Sequence, residues 1–127
     1  MKNPIGWYEI YADDLDRARA FYETVLNVTL GELTPPDGGV SGLCMLSFPC
    51  DFESYGASGA LVKMEGMSPG GSGTIVYFAC DDCAQEESRV EGAGGQVVQS
   101  KMSIGEYGYC AMVIDTEGNT IGLHSMA

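Results

Sequence analysis

Two titratable side chains stand out among the residues that could do chemistry, Glu9 and His124. Glu9 lies inside the strand-like run WYEIY, where a carboxylate is costly to bury unless it is paired or used. His124 is the only histidine and ends a second strand-like run. If the two meet, they could act as general base and general acid, because burial raises the pKa of a carboxylic acid and a neighbouring carboxylate raises that of an imidazole. The alternative is a structural ion pair or hydrogen bond that orients two strands.

The cysteines offer a second kind of chemistry. The chain has five of them: Cys44, Cys50, Cys80, Cys83 and Cys110. Cys80 and Cys83 have the Cys-x-x-Cys spacing of a redox pair or of half a zinc site. Asp81 and Asp82 lie between them and would raise the thiol pKa values, and no second Cys-x-x-Cys completes four zinc ligands. We therefore interpret all five as reduced thiols that mostly serve as small core side chains.

The elements that must position these residues form an approximate internal repeat. A strand-like run starts at Trp7 and another at Ile75, and each leads into a pair of aspartates and a helical pattern. The first helix has apolar residues at helical spacing from Leu15 to Leu26, and the second is predicted over about 83–93, with Gly94 and Gly95 as its stop. Short strands are then predicted at 43–48, 60–64, 96–99, 109–114 and 120–124.

Each half thus reads as strand, helix and about three strands. We predict a single domain over residues 1–127, built of module 1 at about 4–65 and module 2 at about 74–126. The glycine-rich segment 66–73 has the composition of a flexible joint between them. The fold class is therefore α+β.

Composition limits the partners of this chain. With 127 residues and 45% hydrophobic residues it is long and apolar enough for one buried core, and no run reaches the length of a membrane span. The net charge of −12 repels phosphate backbones and anionic lipid, so nucleic acid and membrane are poor partners. The first ten residues lack a signal-peptide pattern, so we expect a cytoplasmic location.

Three segments resemble one known family. WYEIYADDLDRARAFYETVL, GTIVYFACDD and GYCAMVIDTEGNTIGLHS are similar to conserved pieces of the vicinal-oxygen-chelate (VOC) superfamily, which contains glyoxalase I, bleomycin-resistance proteins and ring-cleaving dioxygenases. The last segment resembles the Asp-Pro-Asp/Glu-Gly-Asn turn of these proteins, with Thr116 where proline is usual. The resemblance implies two βαβββ modules that pair into an open, cupped barrel, within one chain or across a homodimer, with the ligand inside the cup.

The same resemblance implies positions for a divalent metal. Metal-dependent members place a His or Gln on the first strand of each module and a Glu on the last strand. These positions fall on Trp7, Ile75 and Gly122, and on the region 60–62 of module 1, where no residue is a suitable ligand. We therefore expect no metal cofactor. Glu9 and His124 are too few for a catalytic metal unless Cys44 or Cys110 joins them.

If the cup is built as in the family, strand alternation brings the candidate site residues together inside it. Trp7, Tyr11, Tyr77 and Met112 would line it for a flat or apolar small molecule, although core packing is the commoner role of such residues on strand faces. Segments 34–39 and 54–59 could fold over the cup as lids or serve as plain connections.

Four functions stay open on this basis. The first is a glyoxalase-like lyase or isomerase in which Glu9 removes a proton next to a carbonyl, while His124 or Tyr77 stabilises the oxyanion. The second is a metal-free protein of the bleomycin-resistance kind that sequesters a small molecule. The third is a metal-dependent lactoylglutathione lyase or dioxygenase with nonstandard ligands, and the fourth is a purely structural or protein-binding module.

Overall fold

Two four-stranded mixed sheets follow each other along the chain in the computed structural model, which describes residues 3–33, 43–51, 53–71 and 73–127. The first unit contains one helix and four strands: β1 (Trp7–Tyr11), α1 (Leu15–Leu26), β2 (Gly31–Leu33), β3 (Cys44–Ser47) and β4 (Ser58–Lys63). Its strand order is β1-β4-β3-β2, and β1 runs parallel to β4. The segment 34–39, a predicted lid, lies outside the described residues.

The second unit repeats this arrangement. Its elements are β5 (Tyr77–Ala79), α2 (Cys83–Val90), β6 (Gln96–Ser103), a 3₁₀ turn (Gly105–Tyr107), β7 (Tyr109–Ile114) and β8 (Thr120–Ser125). The order is β5-β8-β7-β6, with β5 parallel to β8. The α+β class and the two βαβββ modules are confirmed, while the two sheets stay separate and are not hydrogen-bonded into a closed barrel within the described ranges.

Both ends of helix α1 are capped. The Asp14 side chain accepts a hydrogen bond from the Arg17 amide, and Asn27 ends the helix in the left-handed region with φ of 54°. Its buried face carries Ala18, Phe21, Tyr22 and Val25. Helix α2 ends at Val90, earlier than the predicted 93, because residues 91–94 form a turn.

The strands depart from prediction where the pattern is short or irregular. Strand β2 has only three residues and was not predicted, and β5 begins at Tyr77 instead of Ile75. Strand β6 extends to Ser103, beyond the predicted end at residue 99. Register shifts against β7 interrupt the alternation of apolar and polar residues, so the sequence did not reveal the full length of this strand. The predicted lid 54–59 is a connection whose last two residues already belong to β4.

One core joins the two units. The aromatic rings of Tyr8, Tyr22, Phe48 and Phe78 pack together with centroid distances of 5.4 to 6.1 Å. The Arg89 guanidinium of α2 donates two hydrogen bonds, of 3.1 and 2.9 Å, to the Val25 carbonyl at the end of α1. The helix-bearing faces of both sheets therefore meet in a shared interior.

The glycine-rich segment 66–73 is less free than its composition predicts. The Gly70 amide donates to the Asn119 side chain at 2.7 Å, and Gly71 forms an isolated bridge with Asn119. The segment separates the two sheets in sequence, and through Gly70 and Gly71 it is bonded to the turn before β8.

No helix within the described ranges is long and apolar enough to cross a membrane.

Candidate functional site

Strand alternation gives each sheet one buried and one open face. In β1, Ile10 is buried and Tyr8 packs against the core, so Trp7, Glu9 and Tyr11 lie on the opposite face. We call this surface, with the facing positions of β3 and β4, the first open face. Glu9 is directly opposite Ala60 and is exposed.

The first open face carries a hydrogen-bonded cluster. The Glu9 carboxylate accepts a hydrogen bond from the Tyr11 hydroxyl at 2.8 Å and one from the Trp7 indole nitrogen at 3.3 Å. This hydrogen bond from Tyr11 to Glu9, together with burial, raises the pKa of Tyr11. A carboxylate has about four acceptor sites, so Glu9 retains acceptor capacity for a ligand between two aromatic side chains.

The second open face belongs to the other sheet. Phe78 and Leu123 pack into the core, so Tyr77, Met112 and His124 lie on the outer side of β5, β7 and β8. Tyr77 is 49% exposed and Trp7 is 40% exposed, which are high values for such large apolar side chains.

The predicted site residues therefore fall into two groups that do not meet within one chain. Both sheets turn their inner faces to the same core, so the two open faces point outward. No hydrogen bond, ion pair or aromatic contact between Glu9 and His124, or between Trp7 and Tyr77, occurs in the part of the chain that the structure describes. The burial expected for Glu9 is also absent in the single chain.

His124 has a backbone partner instead of Glu9. Its Nε2 lies 2.6 Å from the carbonyl oxygen of Tyr107, in the 3₁₀ turn before β7. A carbonyl only accepts, so Nε2 carries the hydrogen and Nδ1 is left free.

The positions that the family uses for a divalent metal do not fit one. The register pairs Tyr77 with Gly122 and Glu9 with Ala60, which places Ala60 at the last-strand position of module 1. A Cβ atom at Gly122 would clash with the ring of Tyr77, which occupies the space that a ligand side chain would need. Among the described residues, no group of three or more His, Cys, Asp and Glu side chains is placed to hold a metal ion.

Neither thiol of the Cys-x-x-Cys pair is exposed. Burial, followed by the charge of Glu86, raises the pKa of Cys80 to about 12. The sequence predicted a raised pKa for this thiol, but it assigned the cause to Asp81 and Asp82. Cys83 is fully buried at the start of α2, and the described cysteines are all free. Asp82 caps α2 and accepts from Lys101 at 2.8 Å.

Sequence reasoning did not identify the residues that fix the two modules relative to each other. Asp115 is buried and accepts hydrogen bonds from the Tyr22 hydroxyl at 2.6 Å and the Asn119 side chain at 3.0 Å. The Asn119 amide also donates to the Tyr11 carbonyl at 2.8 Å. Asp115 and Asn119 belong to the DTEGN turn, which the sequence analysis recognised. Nothing in the sequence showed that this turn contacts the other module.

An open cleft of about 250 Å³ lies where the two modules meet beside the first open face. It is lined by Glu9 and Tyr11, by the joint at Gly70 and Gly71, and by Thr120. This volume is below the roughly 300–1,000 Å³ of sites for drug-sized ligands.

Two βαβββ modules with open outer sheet faces define the class of protein. Residues 4–123 match the Glyoxalase/Bleomycin resistance protein/Dioxygenase superfamily, and the chain belongs to this superfamily. A comparison with curated proteins found no significant match.

Solved structures of known proteins share this fold. The chain is similar to glyoxalase I from Zea mays, with a TM-score of 0.73 and 20% identity over 97% of this chain and 46% of that chain. It is also similar to TnmS3, an antibiotic binding protein from a Streptomyces species, with a TM-score of 0.71 and 24% identity over 99% and 98% of the two chains. A glyoxalase/bleomycin resistance protein from Albidiferax ferrireducens has a TM-score of 0.69 and 16% identity over 97% and 98%.

The chain spans about half the length of the maize glyoxalase I chain. At these identities the likeness establishes the fold alone.

Proposed function

We propose that this protein binds a small, flat, positively charged organic molecule in a cup completed by two copies of the chain. The main observation behind this proposal is that Glu9, an exposed carboxylate on the first open face, accepts hydrogen bonds from both Trp7 and Tyr11. Each cup would combine the first open face of one chain with the second open face of its partner.

The outward direction of both open faces supports a cup made by two chains. Trp7 and Tyr77 are exposed in one chain, whereas the family resemblance implies that they line the ligand cup. The half-length match to maize glyoxalase I agrees with this, since two copies of this chain would equal that protein in length. Closed homodimers are the commonest assemblies of soluble proteins.

Charge and chemistry favour a cation as the ligand. Eighteen acidic residues face six basic ones, so the field around the protein attracts positive charge. A carboxylate flanked by an indole and a phenol offers both an ion pair and ring faces, and a cation over an aromatic ring gains about 0.5–2 kcal/mol. No usual metal is needed for this function.

Proton transfer is a second candidate, favoured by the placement of Glu9 and His124 on opposite open faces. In a two-chain cup, Glu9 of one chain would face His124 of the partner subunit, as a lyase or isomerase requires. Deuterium incorporation next to a carbonyl of added hydroxyketones, lost in Glu9→Gln, would support it. Equal incorporation by the variant would eliminate Glu9 as the base.

The binding proposal is tested through Trp7, the only tryptophan. Its fluorescence is titrated with N-methylquinolinium and with quinoline, a neutral molecule of nearly the same shape. We expect the cation to bind roughly tenfold tighter, equivalent to about 1.4 kcal/mol.

Glu9→Gln should abolish this preference for the cation. Glu32→Gln, an exposed carboxylate on the other side of the same sheet, should retain it. No binding by the wild-type protein, or equal binding of both compounds, would contradict the proposal.

A further inference from the structure

We propose that the second open face holds a site for a soft metal ion, Cu(I), formed by Met102, Cys110 and His124. This goes beyond the organic ligand proposed above and does not depend on it. The three residues come from three adjacent strands, β6, β7 and β8.

The strand register brings the three side chains into one row. Cys110 is directly opposite His124 on β8 and directly opposite Met102 on β6. Side chains directly opposite each other in an antiparallel pair point to the same face, with Cβ atoms about 4.5–5.5 Å apart. Cys110 therefore lies between a thioether on one side and an imidazole on the other.

The residue next to Met102 shows that this row of side chains lies on the open face of the second sheet. Lys101 lies on the helix side, because its backbone amide donates to Glu87 of α2 and its ammonium lies 4.6 Å from the centre of the Tyr109 ring. Its neighbour Met102 must then project to the open side, where it is 43% exposed. Cys110 and His124 are partly exposed on the same side.

The contact of His124 with the backbone prepares it as a ligand. Its Nε2 hydrogen is donated to the Tyr107 carbonyl at 2.6 Å, which leaves Nδ1 as the free lone pair. Metal-binding histidines typically donate their other ring hydrogen to a carbonyl or carboxylate, and this contact sets the tautomer and the ring orientation. No other described side chain hydrogen-bonds to the His124 ring.

The donor set selects the metal. A thiolate and a thioether are soft ligands that favour Cu(I), whereas zinc prefers thiolate, imidazole and carboxylate and would find only two donors here. On binding, the Cys110 thiol releases its proton to solvent and the thiolate forms the Cu–S bond, so no oxidant or reductant is consumed. The site is distinct from the Gly122 and Ile75 positions where relatives would place a divalent metal.

The test is an anaerobic titration of the protein with Cu(I) in competition with a coloured Cu(I) chelator. Exposed Cys44 and Cys50 could bind copper nonspecifically, so the titration is repeated in a C44S/C50S background. We expect both proteins to retain one equivalent per chain with the same affinity. Cys110→Ser should weaken binding roughly 100-fold or more, since even outer partners of a metal site are worth 10–100-fold.

Two further variants separate the proposed ligands from other side chains of the face. Met102→Leu and His124→Asn should each weaken Cu(I) binding roughly tenfold or more, while circular dichroism shows the fold unchanged. Met112→Leu, a thioether in the neighbouring row of the same face, should retain full affinity.

X-ray absorption at the copper edge should give two sulfur ligands and one nitrogen ligand. Retention of one equivalent by Cys110→Ser, loss of binding in C44S/C50S, or an all-sulfur coordination shell would each overturn the proposal. Preference for Zn(II) over Cu(I) would overturn the choice of metal and, with it, the role of Met102.

Discussion

Arg17 of α1 and Glu117 of the turn between β7 and β8 form a bidentate ion pair across the two modules, with N–O distances of 2.7 and 3.0 Å. The Glu117 side chain is fully buried and also accepts hydrogen bonds from the backbone amides of Asp13 and Asp14, at 3.0 and 2.9 Å. It therefore satisfies amides that precede α1 with a carboxylate from the other module. This contact orients the first open face relative to the second unit.

Glu117→Gln should lower the free energy of unfolding by about 2 kcal/mol, because a buried charged acceptor is replaced by a neutral one. The half-exposed Arg17 should contribute little of this loss. The measurement is urea unfolding at pH 7. Exposed Glu32→Gln is the matched control and should change stability by less than about 0.5 kcal/mol; an equally small change for Glu117→Gln would refute the role of this contact.

The same carboxylate predicts a pH dependence. Burial raises the pKa of Glu117, but hydrogen bonds from Arg17, the Asp14 amide and Thr116 outweigh it and lower the pKa from 4.5 to about 2. A carboxyl group with a lower pKa in the folded protein stabilises it above the unfolded value, and this stability is lost as the pH falls through the folded value. The stability difference between wild type and Glu117→Gln should thus be constant above pH 4.5 and shrink towards pH 2. A difference that stays unchanged over this range in acid titration would contradict the assignment.

Tyr22→Phe should destabilise the protein by about 1.5–3 kcal/mol, the range for a hydrogen bond to a charged group. Its hydroxyl donates to the buried Asp115 at 2.6 Å and has no access to water. Tyr55→Phe removes the same hydroxyl from a side chain that is 93% exposed and should have no measurable effect. Similar thermal midpoints for the two variants would show that the Tyr22 contact is unimportant.

Gly122→Ala tests the packing of Tyr77. A Cβ atom at Gly122 would clash with the Tyr77 ring, so the ring must move and we expect a loss of about 1–3 kcal/mol. In the background Tyr77→Ala the same substitution should cost much less, which a double-mutant cycle measures as a coupling energy. Additive effects would mean that the ring does not lie over Gly122.

The sequence predicted most of the fold because the helical spacing of apolar residues and the alternation along the strands were both clear. Strands β1 and β7 have their predicted bounds, and α1 follows from the apolar spacing between Asp14 and Asn27. Strand β2 was not predicted, because its three residues are all exposed and are too few to show an alternation of apolar and polar side chains. The early end of α2 was hidden because Glu91 and Ala93 fit a helix as well as a turn.

The candidate site was predicted only in part, because element order does not tell which faces meet. Strand alternation predicted which of these residues share a face of a sheet, but it left open whether Glu9 and His124 meet within one chain or between two. Glu117 was missed because a glutamate in a turn is usually solvated, and only the fold shows the amides that it binds. A cytoplasmic location stays a prediction from the sequence.

If each cup combines module 1 of one chain with module 2 of another, two defective proteins should restore binding when they are mixed. One variant carries W7A and Glu9→Gln, which damages only the first open face, and the other carries Y77A and Met112→Ala, which damages only the second. Binding of N-methylquinolinium is measured by equilibrium dialysis on each variant, and on a mixture denatured and refolded together.

Each variant alone should bind nothing, whereas about one quarter of the cups in the mixture should bind, because half of the refolded dimers contain one intact cup of two. No recovery of binding in the mixture, with both variants folded and dimeric, would contradict the account and place both faces of each site within one chain.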